Sequence, residues 1–377
     1  MTFAGAAPQE EPALKIRTMV VDDSAVVRGF ITRTLESDPR IEVVASCGNG
    51  QIAVQQAARQ KLDIIILDIE MPVMDGLVAL PLLRAARPGA KIIMSSTLTQ
   101  RNAEISIEAL TRGATDYIPK PTTGRIGQAH DFHRDLLDKV LGLGLRTGHN
   151  LGQHLAPLEK SRPAPFLPVG KGASPIKLRS CHPVRPKVLA IGSSTGGPQA
   201  LLSLLGELPP EIGIPILITQ HMPATFTSVL AQHIGRVASR PCAEATNGEA
   251  IVAGRIYIAP GDYHLELAGS GETPTARLTQ GPPENYCRPS VNPLFRSVAR
   301  LFGSRALGVV LTGMGSDGLA GAEILSGAGA QLIAQDERSS VVWGMPGAVA
   351  MAGLCTAVLP LGEIARQIVS LFHEART

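Results

Sequence analysis

The run Ile64-Ile65-Ile66-Leu67-Asp68-Ile69-Glu70-Met71-Pro72-Val73-Met74-Asp75-Gly76 decides the fold of the first part of the chain. Four consecutive aliphatic residues read as a strand buried on both faces, as in a parallel sheet. The strand stops at a carboxylate and a turn-rich loop follows. Ligands of open α/β sheets bind beyond the carboxyl ends of strands, so Asp68 stands where chemistry is done. The same device recurs on either side: Met19-Val20-Val21 ends in Asp22-Asp23, Ile92-Ile93-Met94 in Ser95-Ser96, and Tyr117-Ile118-Pro119 in Lys120. Three acids, a hydroxyl and a lysine at four strand ends make a Mg²⁺-assisted phosphate site. Singly, each residue has an ordinary explanation. Asp22 or Asp23 caps a helix, Asp75-Gly76 marks a turn, and Lys120 is a surface lysine. Their order, each behind a strand, favours the joint reading.

This constellation resembles the receiver domain of two-component response regulators over residues 15–135, a flavodoxin-like fold with a five-stranded parallel sheet. The resemblance implies that Asp68 accepts phosphate. It also implies that Mg²⁺ is held by Asp23 and Asp68 directly, by Asp22 through water and by the Glu70 backbone carbonyl, a hard cation on oxygen ligands. Lys120 would pair with the phosphoryl oxygens, Ser96 would be the switch hydroxyl with Thr97 as its rival, and Tyr117 the switch aromatic. A cis Lys120-Pro121 peptide bond is implied as well.

At 377 residues the chain is too long for one such unit. Hydrophobic residues make up 44% and aromatic ones 3%, so the cores must be aliphatic. A net charge of +3, with no basic stripe carrying interleaved aromatics, is no nucleic-acid footprint. Five scattered cysteines, none in a CxxC pair, read as reduced thiols of a cytoplasmic protein. Residues 1–14 lack the basic start and apolar core of a secretory signal. The uncharged stretch Val341 to Gly362 holds two prolines and four glycines, which suits buried strand-turn-helix structure better than a membrane span. No direct membrane insertion is expected. His133 to Val140 reads as the last receiver helix, and Gly142 to Pro186 shows no sustained period. A linker is assigned to 136–183 and a second domain to 184–377.

In that domain Lys187-Val188-Leu189-Ala190-Ile191 reads as a strand, Gly192-Ser193-Ser194-Thr195-Gly196-Gly197-Pro198 as a turn, and the residues after it as a helix. Strand, glycine turn, serine and helix is the context of a catalytic serine, because the helix N-terminus and nearby N–H groups stabilise an oxyanion. Glycine-rich loops also cradle dinucleotide phosphates, but that reading wants an acid after the next strand. Ile216-Leu217-Ile218-Thr219 ends instead in Gln220-His221, and Leu307 to Thr312 runs into Gly313-Met314-Gly315-Ser316-Asp317-Gly318. Serine, histidine and aspartate thus each follow a strand, where a triad can assemble. Spacing alone leaves Ser193 competing with Ser194.

Ile191 to Gly197, Thr219-Gln220-His221-Met222-Pro223 and Leu311 to Gly318 resemble signature blocks of the chemotaxis methylesterase CheB family. So do Arg288-Pro289-Ser290-Val291-Asn292, Ala334-Gln335-Asp336-Glu337 and Gly344-Met345-Pro346. The resemblance implies a doubly wound, mostly parallel α/β catalytic domain with Ser194 as nucleophile, His221 as base and Asp317 as its orienting acid. Backbone N–H groups of Thr195 and Met314 would be the oxyanion donors. It further implies phosphorylation-activated hydrolysis of glutamate methyl esters, and deamidation of certain glutamines, on chemoreceptor helical bundles. A chemotaxis histidine kinase would be the phosphodonor, and the esterase itself would need no cofactor. Two other classes compete: a non-catalytic response regulator whose second domain only binds a partner, and a nucleotide-binding output domain.

Overall fold

The computed structural model describes residues 15–120, 126–147, 176–180 and 184–374. The first unit is β1 (Ile16–Val21), α1 (Ala25–Glu36), β2 (Ile41–Cys47), α2 (Gly50–Arg59), β3 (Ile64–Asp68), α3 (Gly76–Ala86), β4 (Lys91–Ser96), α4 (Gln100–Thr111), β5 (Asp116–Pro119) and α5 (Ile126–Thr147). Its five strands pair in parallel in the order β2-β1-β3-β4-β5. The order reverses between β1 and β3, and the crevice for a ligand opens there. Ile64, Ile65, Ile66 and Leu67 of β3 are fully buried, each contributing at most about 1.5–3 kcal/mol of hydrophobic stabilisation. Helix starts follow local chemistry. Ser24, Asn49, Asp75 and Thr99 accept hydrogen bonds from the first-turn N–H groups of α1, α2, α3 and α4.

The second unit contains β6 (Val188–Ser193), α6 (Gly197–Glu207), β7 (Ile216–Gln220), α7 (Ala224–Ala238), β8 (Cys242–Glu244), β9 (Ile256–Ile258), β10 (His264–Gly269), β11 (Pro274–Thr279), α8 (Val291–Phe302), β12 (Ala306–Val310), α9 (Leu319–Gly327), β13 (Gln331–Gln335), α10 (Met345–Met351), β14 (Ala357–Leu359) and α11 (Leu361–Glu374). Seven strands form one parallel sheet, β14-β13-β12-β6-β7-β9-β8, and β10-β11 is a separate antiparallel pair. From β6 the chain winds outward first through β7 and later through β12. The switch point therefore lies at the carboxyl end of β6, flanked by the ends of β12 and β7.

Three expectations need correction. The last receiver helix does not end at Val140, and it runs into the segment assigned as linker: α5 continues to Thr147, with Leu136, Val140 and Leu143 keeping a buried helical stripe against the first unit. The glycines at 142 and 144 are buried where a side chain would collide with Met314 and Ile16. Within the expected linker, residues 176–180 lie on the second unit, where Arg179 N–H donates to Cys355 O at 2.8 Å and its guanidinium to Ala330 O. The stretch Val341 to Gly362 folds as helix, strand and the start of another helix rather than strand-turn-helix. Among the described residues no helix is long and apolar enough to cross a membrane.

Candidate active site and receiver site

In the first unit, ligand oxygens of Asp22, Asp23 and Asp68 all lie within 4.8 Å of one another. The close fit of the β3 loop depends on glycine, since a Cβ on Gly76 would sit 2.0 Å from the Asp68 carbonyl oxygen. Lys120 reaches in from the end of β5, with Nζ 2.7 Å from Asp22 Oδ2 and 2.8 Å from Asp68 Oδ2. Burial raises the Asp68 carboxyl to about 6, against the opposing pull of Lys120. Three carboxylates around one ammonium leave negative charge uncompensated, a donor set that suits a hard divalent cation. Glu70 turns its carboxylate outward, with Asn102 Nδ2 at 3.5 Å. Ser96 is buried and accepts from Ser106 of α4 at 3.1 Å, whereas Thr97 is exposed and accepts from Asn102 at 2.6 Å. The expected cis bond at Lys120-Pro121 falls outside the described residues.

In the second unit, three strand ends converge. Ser194 N–H donates to Thr312 O at 3.0 Å, and His221 N–H donates to Ser193 O at 3.2 Å. Gly313 permits the approach, because a Cβ there would stand 2.9 Å from Ser194 Cβ and 2.4 Å from Met345 Sδ. Ser193 is fully buried and donates to Gln220 Oε1 at 2.7 Å; Ser194, half-buried, makes no side-chain hydrogen bond among the described residues. Gln220 also donates from Nε2 to the carbonyls of Ser194 and His221. This glutamine stands where a dinucleotide site wants its ribose acid, and every polar atom of its amide is spent inside the protein.

His221 Nε2 lies 2.8 Å from Asp317 Oδ2. Asp317 is buried and further accepts from Ser290 Oγ at 2.7 Å, Asn285 Nδ2 at 3.1 Å and Val291 N–H at 2.7 Å. Burial works to raise its pKa, but the imidazole and these donors hold the carboxyl below its ordinary range. At His221, burial disfavours the charged ring, and Cys287 and Asp317 outweigh it, so its pKa stands above the ordinary value. The other ring nitrogen, Nδ1, faces Cys287 Sγ at 3.4 Å rather than Ser194. Thr195 is buried beside Ser194, with its carbonyl accepting from Thr312 Oγ1 at 2.9 Å. Neither its N–H nor that of Met314 has a partner among the described residues.

Reasoning from sequence missed Cys287, Asn285 and Ser290 as neighbours of the histidine and aspartate. The block Arg288 to Asn292 was conspicuous, but its place in the site depends on a loop that returns from the β10-β11 pair.

The first unit rests on the face of the second that carries these loops. Tyr117 stacks on Phe226 of α7, centroids 4.4 Å apart and planes 13° off parallel. Gln199 of α6 donates to Leu110 O at 3.4 Å, α4 packs on α7, and a Cβ on Gly142 of α5 would meet Met314 Sδ at 2.9 Å. Arg134 of α5 lies over the Tyr286 ring, 4.5 Å from its centroid.

Residues 18–129 match the model of the response regulator receiver domain, and residues 189–368 that of the CheB methylesterase. A protein-glutamate methylesterase/protein-glutamine glutaminase of Rhodospirillum rubrum is 53% identical over 94% of this chain and 94% of its own length. One from Azospirillum brasilense is 54% identical over 93% of this chain and 91% of its own. The crystal structure of the Thermotoga maritima CheB methylesterase catalytic domain is 37% identical, covering 50% of this chain and all of that one with a TM-score of 0.48.

Proposed function

Because the chain belongs to the CheB family of methylesterases with a receiver domain, we propose that it is a phosphorylation-activated protein-glutamate methylesterase and glutamine deamidase of chemotactic adaptation. Its substrates are the cytoplasmic helical bundles of methyl-accepting chemoreceptors. The observation that carries the reading is the convergence of Ser194, His221 and Asp317 at adjacent strand ends, with His221 bonded to a buried, multiply hydrogen-bonded Asp317.

Ser194 Oγ attacks the γ-ester carbonyl while His221 Nδ1 takes its proton. For this, the imidazole leaves Cys287 for Ser194. The N–H groups of Thr195 and Met314 stabilise the oxyanion. His221 returns the proton to the departing methoxide, giving methanol and an acyl-enzyme. It then activates water, which releases the glutamate carboxylate. On a glutamine side chain the same steps release ammonia. Asp317 sets the ring tautomer and favours the imidazolium formed in each transition state.

In the receiver, Asp68 is the phosphate acceptor and a chemotaxis histidine kinase the donor. Asp23, Asp68 and the Glu70 carbonyl, with Asp22 through water, would hold Mg²⁺, which would supply charge neutralisation for phosphoryl transfer to Asp68. Lys120 exchanges part of its bond to Asp68 for the phosphoryl oxygens. Ser96 and Tyr117 transmit the change, a reading supported by the stack of Tyr117 on Phe226. Docked, the receiver covers the loops of Met314 and Tyr286 and obstructs a receptor helix. Phosphorylation shifts the population away from that state, and each ~1.4 kcal/mol of bias gives tenfold. Methanol release from methylated receptor tests this directly. It is expected from the protein, increases with phosphodonor, and its absence under both conditions would sink the proposal.

A further inference from the structure

Tyr286 sits at the rim of the triad and has no part in the steps above. The residue stays 65% exposed with the receiver docked, and its φ of +63° lies in the left-handed region that bulky residues occupy only at a cost. Neighbours on both sides impose that conformation. Glu284 and Cys287 exchange main-chain hydrogen bonds of 3.2 and 2.9 Å, both terminal guanidinium nitrogens of Arg296 hold Glu284, and Arg288 grips Asp262. Asn285, just before the ring, bonds Asp317; Cys287, just after it, touches His221. An aromatic face is thus clamped open one residue from each of two contacts with the catalytic pair. The group lying on it is the Arg134 guanidinium, 4.5 Å from the centroid, well within the range at which a cation is attracted to a ring.

We propose that the Tyr286 ring is a specificity element that receives a cationic side chain of the substrate, and that Arg134 takes that cation's place while the receiver is docked. The proposal rests on the esterase reading. The substrate class is a helix carrying an arginine or lysine about one turn from the methylated glutamate, the spacing at which two side chains share a helix face. A receptor helix and the receiver would then compete for one aromatic surface as well as for space.

The test uses full-length protein with a small-molecule phosphodonor and Mg²⁺, and two helical coiled-coil peptides. Each peptide carries one glutamate γ-methyl ester and, four residues away, either arginine or glutamine. Methanol release should favour the arginine peptide by roughly three- to fivefold in kcat/KM, the strength of a partly exposed cation–π contact, expressed in KM. Tyr286→Phe should keep the preference. Tyr286→Ala should abolish it by slowing the arginine peptide alone, and the unchanged glutamine-peptide rate shows that the triad loop still folds. Arg134→Ala should raise the rate on both peptides when phosphodonor is omitted. A wild type without preference, a preference that survives in Tyr286→Ala, or equal loss on both peptides in that variant overturns the proposal. A wild type that releases methanol from neither peptide nor from methylated receptor overturns the esterase reading itself.

Discussion

At His221 the two ring nitrogens have unlike partners, Asp317 on Nε2 and Cys287 on Nδ1, and this shapes the expected pH dependence. Burial lowers the imidazole pKa, but Cys287 and Asp317 together raise it above the ordinary value. A general base works only when neutral, so kcat/KM for ester hydrolysis should rise with pH along a limb centred above ~6.5. Cys287→Ser replaces one of the two partners that raise the imidazole pKa and should move that limb downward. A limb at the ordinary histidine value, or one indifferent to the substitution, would show that the thiol does not act on the base. The serines make a second residue-scale prediction. Ser194→Ala should cost roughly 10³-fold or more in kcat, as losing a member of a unit does. Ser193→Ala should keep most activity and lose about 1–2 kcal/mol of stability, because Gln220 Oε1 is left buried without its donor. Reversed activities in the two variants would transfer the nucleophile to Ser193.

Strand β3 delivers Asp68 into a buried position, and that placement has a thermodynamic signature. With the folded pKa raised to about 6, the native state favours the neutral carboxyl. The associated stability is present below the unfolded value near ~3.9 and lost as pH rises through about 6. Asp68→Asn stays neutral throughout, so in Mg²⁺-free buffer at pH 7.5 it should be more stable than wild type by about 1–3 kcal/mol, with little difference at pH 4. Mg²⁺ should narrow the gap by binding wild type more strongly. Urea titrations of both proteins under the three conditions check this; a destabilised Asp68→Asn at pH 7.5 would mean that the Lys120 pair outweighs the burial of the carboxylate. Elements also differ in how visible they were beforehand. Every strand end carrying a candidate residue was legible, because aliphatic runs closed by turn residues are local signals. The full length of α5 was not, because Gly142 and Gly144 look like helix breakers until close packing against Met314 and Ile16 explains them.

For the whole molecule, contacts of Tyr117 with Phe226, Gly142 with Met314 and Arg134 with Tyr286 join the two units, and the proposed inhibition by the docked receiver can be tested by removing it. A chain beginning at Ile176 keeps the Arg179 bonds that pin its first residues to the second unit. It should hydrolyse methylated receptor faster than the unphosphorylated full-length protein and ignore phosphodonor. Asp68→Asn in the full chain should retain the basal rate and lose the response. If the shortened chain is folded yet slower than the unphosphorylated full-length protein, the receiver is not an inhibitor.

The amino-acid sequence by itself determined two parallel α/β units and the strand ends bearing Asp22, Asp23, Asp68, Lys120, Ser194, His221 and Asp317. Runs of aliphatic residues and the turns closing them are short-range information, readable within a few positions. Tertiary structure alone decided which serine is left open, since Ser193 is spent on Gln220, 27 residues away. It also placed Cys287 on a histidine 66 residues distant and joined that histidine to an aspartate 96 residues away. The contact of Arg134 with Tyr286 has the same origin. Such contacts arise where loops from separate strands pack together, and no local pattern records which side chain a neighbouring loop will meet.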